Sequence, residues 1–427
     1  MRALILAFEF PPHHSVAALR PLGWKKFLPR HGVHPTFVVK QWPDGPADAV
    51  SYYAPPPCDE VVAELDGEVE VHRVPVHPNL RDRLLLQGRM PRLRKVLSLV
   101  HSVSEHILPA TDNRRALFHH ADRLLRDGDF DVIVATGNPF VLFRHARDLA
   151  RRHGIPWVAD YRDGWSTNEE VPSFGRLRRI LYRQVFRRIE RWIVSEADAI
   201  TAASPAYLEK VRTVVPAPSA HTVYNGYMPD VAFTPVHAPD TFVIDYAGTV
   251  YPHQRVETFL RGLDLFVQRS GARDVRVNFF GLQRQADQVR RLAAGLTDRT
   301  RPLVHTTDRI PYDHVLGELA GADVNLLLAA PGYDWLNAKV FDYLYVDRPI
   351  LLVENDRGTL ERMLAEAAAG VACDDPDQVA DTLERWYDAW ATEGRIDHRS
   401  RGSERFSRDH QAGVLAALLR DLTFATA

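Results

Sequence analysis

The chain has 427 residues, which at about 150 residues per domain suggests two or three domains and leaves ample length for a buried core. Its Lys+Arg total of 53 against 55 Asp+Glu gives a net charge of −2, so there is no global electrostatic case for a nucleic-acid partner and any basic site must be local. Cys58 and Cys373 are too few for a disulfide framework or a thiolate metal cage. No apolar run approaches the roughly 18 residues of a membrane span, and the opening MRALILAFEF meets PPHH without a small-residue cleavage site, so the chain reads as cytoplasmic. Only 6 of the basic residues are lysines, so an Arg-rich stretch says little and a lysine says more.

In chain order, a short apolar strand is predicted from Ala3 to Phe8, stopped by Pro11 and Pro12. A helix follows over Val16–Leu28, ended by Gly32, and then a strand over Thr36–Lys40, which makes a βαβ unit. The alternation continues with a helix at Arg114–Leu125, a strand at Asp131–Ala135, a helix at Val141–Arg152, a strand at Pro156–Ala159, an Arg-rich helix at Arg176–Val194, a strand at Ala199–Ala202 and a helix at Pro205–Val214. Residues 41–60 and 77–112 are poorly patterned and read as insertions carrying loops on the acceptor side. Asn225-Gly226, Pro229, Pro235 and Pro239 mark a linker. Beyond it, strands at Phe242–Tyr246, Val275–Phe280, Leu303–His305, Val324–Leu328 and Ile350–Val353 alternate with helices near Val256–Gln268, Gln283–Leu296, Tyr312–Leu319, Ala338–Val346 and Gly358–Ala368. Two helices, Pro376–Trp390 and Asp409–Leu422, close the chain. The pattern predicts two α/β halves, each a doubly wound parallel sheet: residues 1–228, residues 240–404, and a terminal segment 405–427 that returns to the first half.

In open α/β sheets ligands sit beyond the carboxyl ends of strands, so residues just after strands are the candidates. The loop from Glu9 to Ser15 holds His13, His14 and Ser15, with Arg20 one turn into the next helix. Asp160, Arg162 and Asp163 end an apolar strand, where two acids and a base suit sugar hydroxyls or, more plainly, a structural ion pair. Gly248 and Thr249 follow the first strand of the second half; the glycine lets backbone approach a ligand, and Arg255 opens the next helix. The strongest pattern is Asp334-Trp-Leu-Asn337-Ala338-Lys339-Val340-Phe-Asp342. Asn337 is placed to cap a helix whose first N–H groups, at residues 338–340, face an anion. Lys339 adds a full charge there, and Asp342, a turn further on, is placed to accept both hydroxyls of a ribose.

These fragments, with Phe10-Pro11-Pro12, Asp198-Ala-Ile-Thr-Ala-Ala-Ser204, Tyr246-Ala-Gly248-Thr-Val and Arg348-Pro349-Ile, resemble in order and spacing the bacterial family 4 glycosyltransferases, whose twin-Rossmann fold is called GT-B. The resemblance spans essentially the whole chain and implies two domains facing a cleft. It implies that Asp334 and Asp342 stand where the family has two glutamates, the first touching the transferred sugar and the second the ribose. It also implies departures: Thr249 and Gln254 occupy the places of the family's phosphate-binding Arg and Lys, leaving Arg255 or Lys339 to compensate. His13-His14-Ser15 replaces a paired-glycine loop, and Arg162, beside Asp163, aligns with a histidine of many members.

The expected activity is therefore transfer of a sugar from a nucleoside-diphosphate donor to a hydroxyl-bearing acceptor, retaining and metal-independent. Asp160, Arg162, Asp163, Asp334 and Lys339 are expected at the chemistry; Gly248, Thr249, Arg255, Asn337, Ala338, Lys339, Val340 and Asp342 around the nucleotide-sugar; and His13, His14, Ser15 and Arg20 on the acceptor side. No tightly bound cofactor is expected; the nucleotide-sugar is a co-substrate, and the acceptor a small molecule, a glycan or a lipid-linked sugar. Two alternatives stay open: a pseudo-glycosyltransferase joining a cyclitol nucleotide to an amine, and a non-catalytic binding protein of the same fold. The helix with Arg176, Arg178, Arg179, Arg183, Arg187, Arg188 and Arg191 reads as a solvated face first and as a membrane-docking face second. Val414, Leu415, Leu418 and Leu422 predict one apolar stripe on the closing helix.

Overall fold

The computed structural model describes the chain apart from His14, residues 45–48, residues 169–175, Pro218, residues 283–285, Arg309, residues 333–335, Asn337 and Ala427. The chain divides into two compact units: Met1–Asn225 with Arg408–Ala427, and Gly226–Ser407.

In the first unit β1 (Arg2–Leu6) leads through α1 (Leu19–Phe27) to β2 (His34–Lys40). Then come α2 (Ala49–Tyr53), β3 (Val62–Asp66), β4 (Val69–Val74), α3 (Leu80–Leu86), α4 (Pro91–Ile107) and α5 (Arg115–Asp127). The alternation resumes with β5 (Val132–Gly137), α6 (Val141–His153), β6 (Trp157–Tyr161), α7 (Arg176–Val194), β7 (Ala199–Ala202), α8 (Pro205–Arg212) and β8 (Ser219–Thr222). The eight strands lie in the order β3-β4-β2-β1-β5-β6-β7-β8, parallel except for the antiparallel β3–β4 hairpin. Ala3 to Leu6 and Val132 to Ala135 are wholly buried, because central strands of a sheet covered by helices on both faces have no polar side. Punctuation is local: Ser204 accepts the Tyr207 N–H at 3.2 Å and Pro205 starts α8, while α6 ends on Gly154 at φ 68°.

The second unit runs β9 (Phe242–Ala247), α9 (Val256–Ser270), β10 (Val275–Phe280), α10 (Ala286–Ala293), β11 (Val304–Thr307), α11 (Tyr312–Gly321), β12 (Val324–Leu328), α12 (Lys339–Val346), β13 (Ile350–Val353), α13 (Thr359–Glu366), β14 (Gly370–Cys373) and α14 (Pro376–Glu393). Its six strands are all parallel, in the order β11-β10-β9-β12-β13-β14. The last helix, α15 (Arg408–Thr426), belongs to the first unit, where it packs on α1.

Residues 41–60 and 77–112 are more than loops: they carry α2, α3 and α4, and the β3–β4 hairpin lies between them. β8 and β14 were also absent from the sequence pattern, each being four residues long. The stripe that α15 buries is Gln411, Ala412, Leu415, Ala416, Leu418 and Leu419, with Val414 and Leu422 only half-buried. Among the described residues no helix is long and apolar enough to cross a membrane.

Candidate functional site

In the second unit the strand order reverses between β9 and β12, and a doubly wound sheet opens a crevice at the carboxyl ends of such a pair. The loop after β9 and the start of α12, which follows β12, meet there. Gly248 has φ +94°, and a Cβ added to it would lie 2.8 Å from Cε of Lys339. The room left by the missing side chain is taken by the lysine stem. Lys339 Nζ then donates to the Tyr246 hydroxyl at 2.6 Å and to the Thr249 carbonyl at 2.7 Å, while the Tyr246 hydroxyl donates to the same carbonyl at 2.8 Å. The ammonium also lies 4.3 Å from the Tyr246 ring centre. Burial lowers the Lys339 amine to about 7, since a charge removed from water is disfavoured. A lysine that changes charge near neutrality, at the mouth of a switch-point crevice, is a candidate for anion binding.

The surrounding residues divide by what they can offer. Ala338 is the N-cap of α12 and makes no side-chain cap bond; Val340 is wholly buried and presents only backbone. Tyr312 donates to Asp342 Oδ1 at 2.6 Å, on the first turn of α12. The Tyr343 hydroxyl accepts the Ala247 N–H at 3.1 Å and so bolts α12 to β9. Gln254 turns inward: its amide donates to the Leu328 carbonyl at 2.6 Å and accepts the Tyr251 N–H at 2.9 Å, clipping the β9–α9 loop to the end of β12. Arg255 is exposed, with Nε 3.9 Å from Oε2 of the buried Glu354. Asp334 and Asn337 lie outside the described residues.

In the first unit the reversal falls between β1 and β5. Glu9, just past β1, accepts the Ser15 hydroxyl at 2.5 Å, with His13 Nε2 at 3.8 Å and Arg162 Nη1 at 3.9 Å. His13 stacks on Trp42 at 3.8 Å between ring centres. Arg162 donates twice to Asp163 Oδ2, at 3.0 and 2.6 Å. Ser15 also caps a short 3-10 turn by accepting the Ala18 N–H. The sequence pattern thus brings His13, Ser15, Arg162 and Asp163 to one edge, around a Glu9 to which it assigned no role. His14 is outside the described residues.

Arg20 and Asp160 do something else. Asp160 is wholly buried and Arg20 nearly so; Arg20 donates to both carboxylate oxygens at 3.0 and 2.6 Å, and Thr201 donates to Asp160 at 2.5 Å. Arg20 also reaches the Val223 and Tyr224 carbonyls at 2.8 and 3.2 Å. Such a pair latches α1, β6, β7 and the end of the unit together, and it has no surface to present to a sugar or an acceptor.

Missed by sequence reasoning were Glu9, Trp42 and Tyr246. Lys40, at the end of β2, was also missed, though the rarity of lysine flags it; its Nζ lies 4.0 Å from the Trp42 ring, and burial, helped by Arg114, lowers its amine to about 8. No group of three or more His, Cys, Asp or Glu placed to hold a metal occurs among the described residues.

Residues 24–226 match the family model described as the glycosyl transferase 4-like domain. No curated protein matches the chain significantly. Among solved structures, the α,α-trehalose 6-phosphate synthase of Burkholderia multivorans is 13% identical, covers 100% of this chain and 97% of its own, and superposes with a TM-score of 0.61. The UDP-forming α,α-trehalose-phosphate synthase of Burkholderia xenovorans, in complex with glucose-6-phosphate, is 12% identical over 99% and 100% of the chains, at 0.60. The Anabaena HepE protein in complex with UDP-glucose is 12% identical over 99% and 100%, at 0.56. The match to a glycosyl transferase 4-like domain thus covers most of the first unit, and over its whole length the chain shares the two-domain α/β fold of these structures, called GT-B.

Proposed function

We propose that this protein transfers a sugar from a nucleoside-diphosphate donor, with UDP-glucose the first to try, to a hydroxyl-bearing acceptor, with retention and without a metal. The observation that carries the reading is Lys339. It stands at the N-terminal end of α12, in the switch-point crevice of the second unit, with its amine lowered to about 7 and a carboxylate, Asp342, one turn on. An incoming diphosphate restores the charge on Lys339 and adds the positive end of the helix, replacing the Tyr246 and Thr249 oxygens as partners. Asp342, released from Tyr312, accepts the ribose hydroxyls, and Asp334 is kept for the transferred sugar. Departure of the diphosphate is then the electrostatically assisted step, and the leaving oxygen takes the acceptor proton on the same face of the sugar. Lys339 and the helix end neutralise that charge, so the reading calls on no metal.

On the first unit we assign Glu9, His13, Ser15, Arg162 and Asp163 to the acceptor, and Arg20 with Asp160 to positioning rather than to chemistry. A second reading, a cyclitol nucleotide coupled to an amine, draws on Gln254: the family places a cation there, and this side chain is committed to the loop. Mass spectrometry of products from UDP-, GDP-, ADP- and TDP-sugars and a cyclitol nucleotide, each with sugar and amine acceptors, tests this. A glycoside supports transfer, a carbon–nitrogen-linked cyclitol supports the second reading, and no product from any pair leaves a binding protein.

A further inference from the structure

The arm formed by α3 and α4 in the first unit carries apolar residues on its outer side. Leu93, Val96, Val100 and Ile107 follow one another at spacings of three, four and seven, which puts them on one face of α4, and that face points outward: they are 39%, 59%, 58% and 49% exposed. Met90, at the start of the helix, is 56% exposed and Leu99 48%. An exposed apolar row of this length on a helix is an interaction surface rather than the normal scatter of single hydrophobic residues. The same segment is strongly basic. From Leu80 to Ile107 the sequence has six Arg or Lys and two acids, Asp82 and Glu105. Asp82 is buried and takes two hydrogen bonds from Arg81, and Glu105 is largely covered and paired with Arg114, so neither screens the outer face. Arg83, Arg89, Arg92 and Lys95 are exposed around the apolar row, in a protein whose net charge is −2.

We propose that this arm docks the first unit on a bilayer surface rich in anionic lipid. The charge selects the occupant. A second copy of the chain pairing through the same face would set two basic patches against each other, and a nucleic acid would use the cations but leave the apolar row in water. An anionic bilayer uses both: the stripe enters the boundary of the acyl chains while the flanking Arg and Lys meet lipid phosphates. α7 is the weaker surface. Its Phe186, Ile189 and Ile193 are buried in the core, which leaves Ile180, Val185 and Trp192 as the exposed large apolar residues among its described side chains, fewer than the arm presents. The inference does not depend on the proposed reaction, since it concerns a surface and not a substrate.

Co-sedimentation of the full-length protein with phosphatidylcholine vesicles, with and without about 30 mol % phosphatidylglycerol, tests it at low and high salt. Binding is expected with anionic vesicles. It should fall at least about tenfold in the Val96→Glu, Val100→Glu double variant and also in Arg92→Glu, Lys95→Glu, with thermal unfolding unchanged because all four side chains are at the surface. Arg188→Glu, Arg191→Glu on α7 should bind as the parent does. Three results overturn the proposal: no binding of the parent to anionic vesicles at low salt, a loss confined to the α7 variant, or a vesicle-free dimer that Val96→Glu, Val100→Glu dissolves.

Discussion

Lys339 was legible in the sequence because the chain uses so few lysines and because this one follows a strand, next to a helix start. Its resting partners were not legible. Tyr246 and Thr249 lie about ninety residues away in sequence, and only the sheet order that sets β9 beside β12 brings them within 2.6 and 2.7 Å. The same holds for Asp245, which faces the interior between β10 and β12, in register with Asn278 and Asn325. Burial pushes its carboxyl up to about 8, although the Asn278 amide donating at 2.8 Å favours the charged form. A folded-state value above the unfolded one means that the folded protein holds an extra proton. The stability this contributes is complete below the unfolded value near 4 and is lost as pH rises through about 8. Chemical denaturation of the full chain should therefore show stability falling between about pH 5 and 9 from this group. Asp245→Asn, which cannot ionise, should flatten that fall and be more stable than the parent at pH 9 by at least about 1 kcal/mol. An identical pH slope in the variant would place the titration elsewhere.

Among the elements, the strands that form the two cores were readable, because Ala3–Leu6 and Val132–Ala135 are apolar on both faces, as buried parallel strands usually are, and Val324–Leu328 departs from that only at Asn325. The β3–β4 hairpin was not, since β3 is an edge strand with Ala63 to Asp66 exposed and so has no buried face to write an alternation. α4 hid for the opposite reason: its apolar stripe faces outward, where a core-facing pattern is not sought. The Arg20–Asp160 latch is the element-scale test. It ties α1 to β6, and Thr201 adds β7. Asp160→Ala leaves a guanidinium buried with two backbone carbonyls and no carboxylate, and should cost about 3–5 kcal/mol in denaturant unfolding. A loss under about 1 kcal/mol would mean that the pair is not held as described.

For the whole molecule, alternating strand and helix patterns disclosed two α/β halves, each with its own largely parallel sheet. The place of the last helix came from its apolar stripe, although the stripe is rotated from the expected one. The physical reason is the close approach at Gly413, whose missing Cβ would lie 3.0 Å from the His31 ring and which turns Ala412 and Ala416 inward beside Leu415 and Leu419. His31 also bonds Asp409, and Gln411 accepts the Tyr224 N–H at 2.7 Å. Removing residues 408–427 strips three buried leucines from the first unit and should cost on the order of 5 kcal/mol, seen as a lowered melting temperature and new binding of an apolar dye. Affinity for nucleotide-sugar, assigned to the second unit, should change much less. A truncated protein with an unchanged melt would remove α15 from the first unit.

The central claim is that Lys339 holds the donor's diphosphate, and titration calorimetry with a nucleotide-sugar across pH tests it most directly. The free amine sits at about 7, and a bound diphosphate raises it, so binding takes up a proton above pH 7 and affinity should weaken as pH rises from about 7 to 9. Lys339→Ala should bind at least about tenfold more weakly at pH 7, roughly 1.4 kcal/mol, and show no pH dependence in that window. A variant that binds as tightly as the parent, or that keeps the parent's pH slope, would contradict the account.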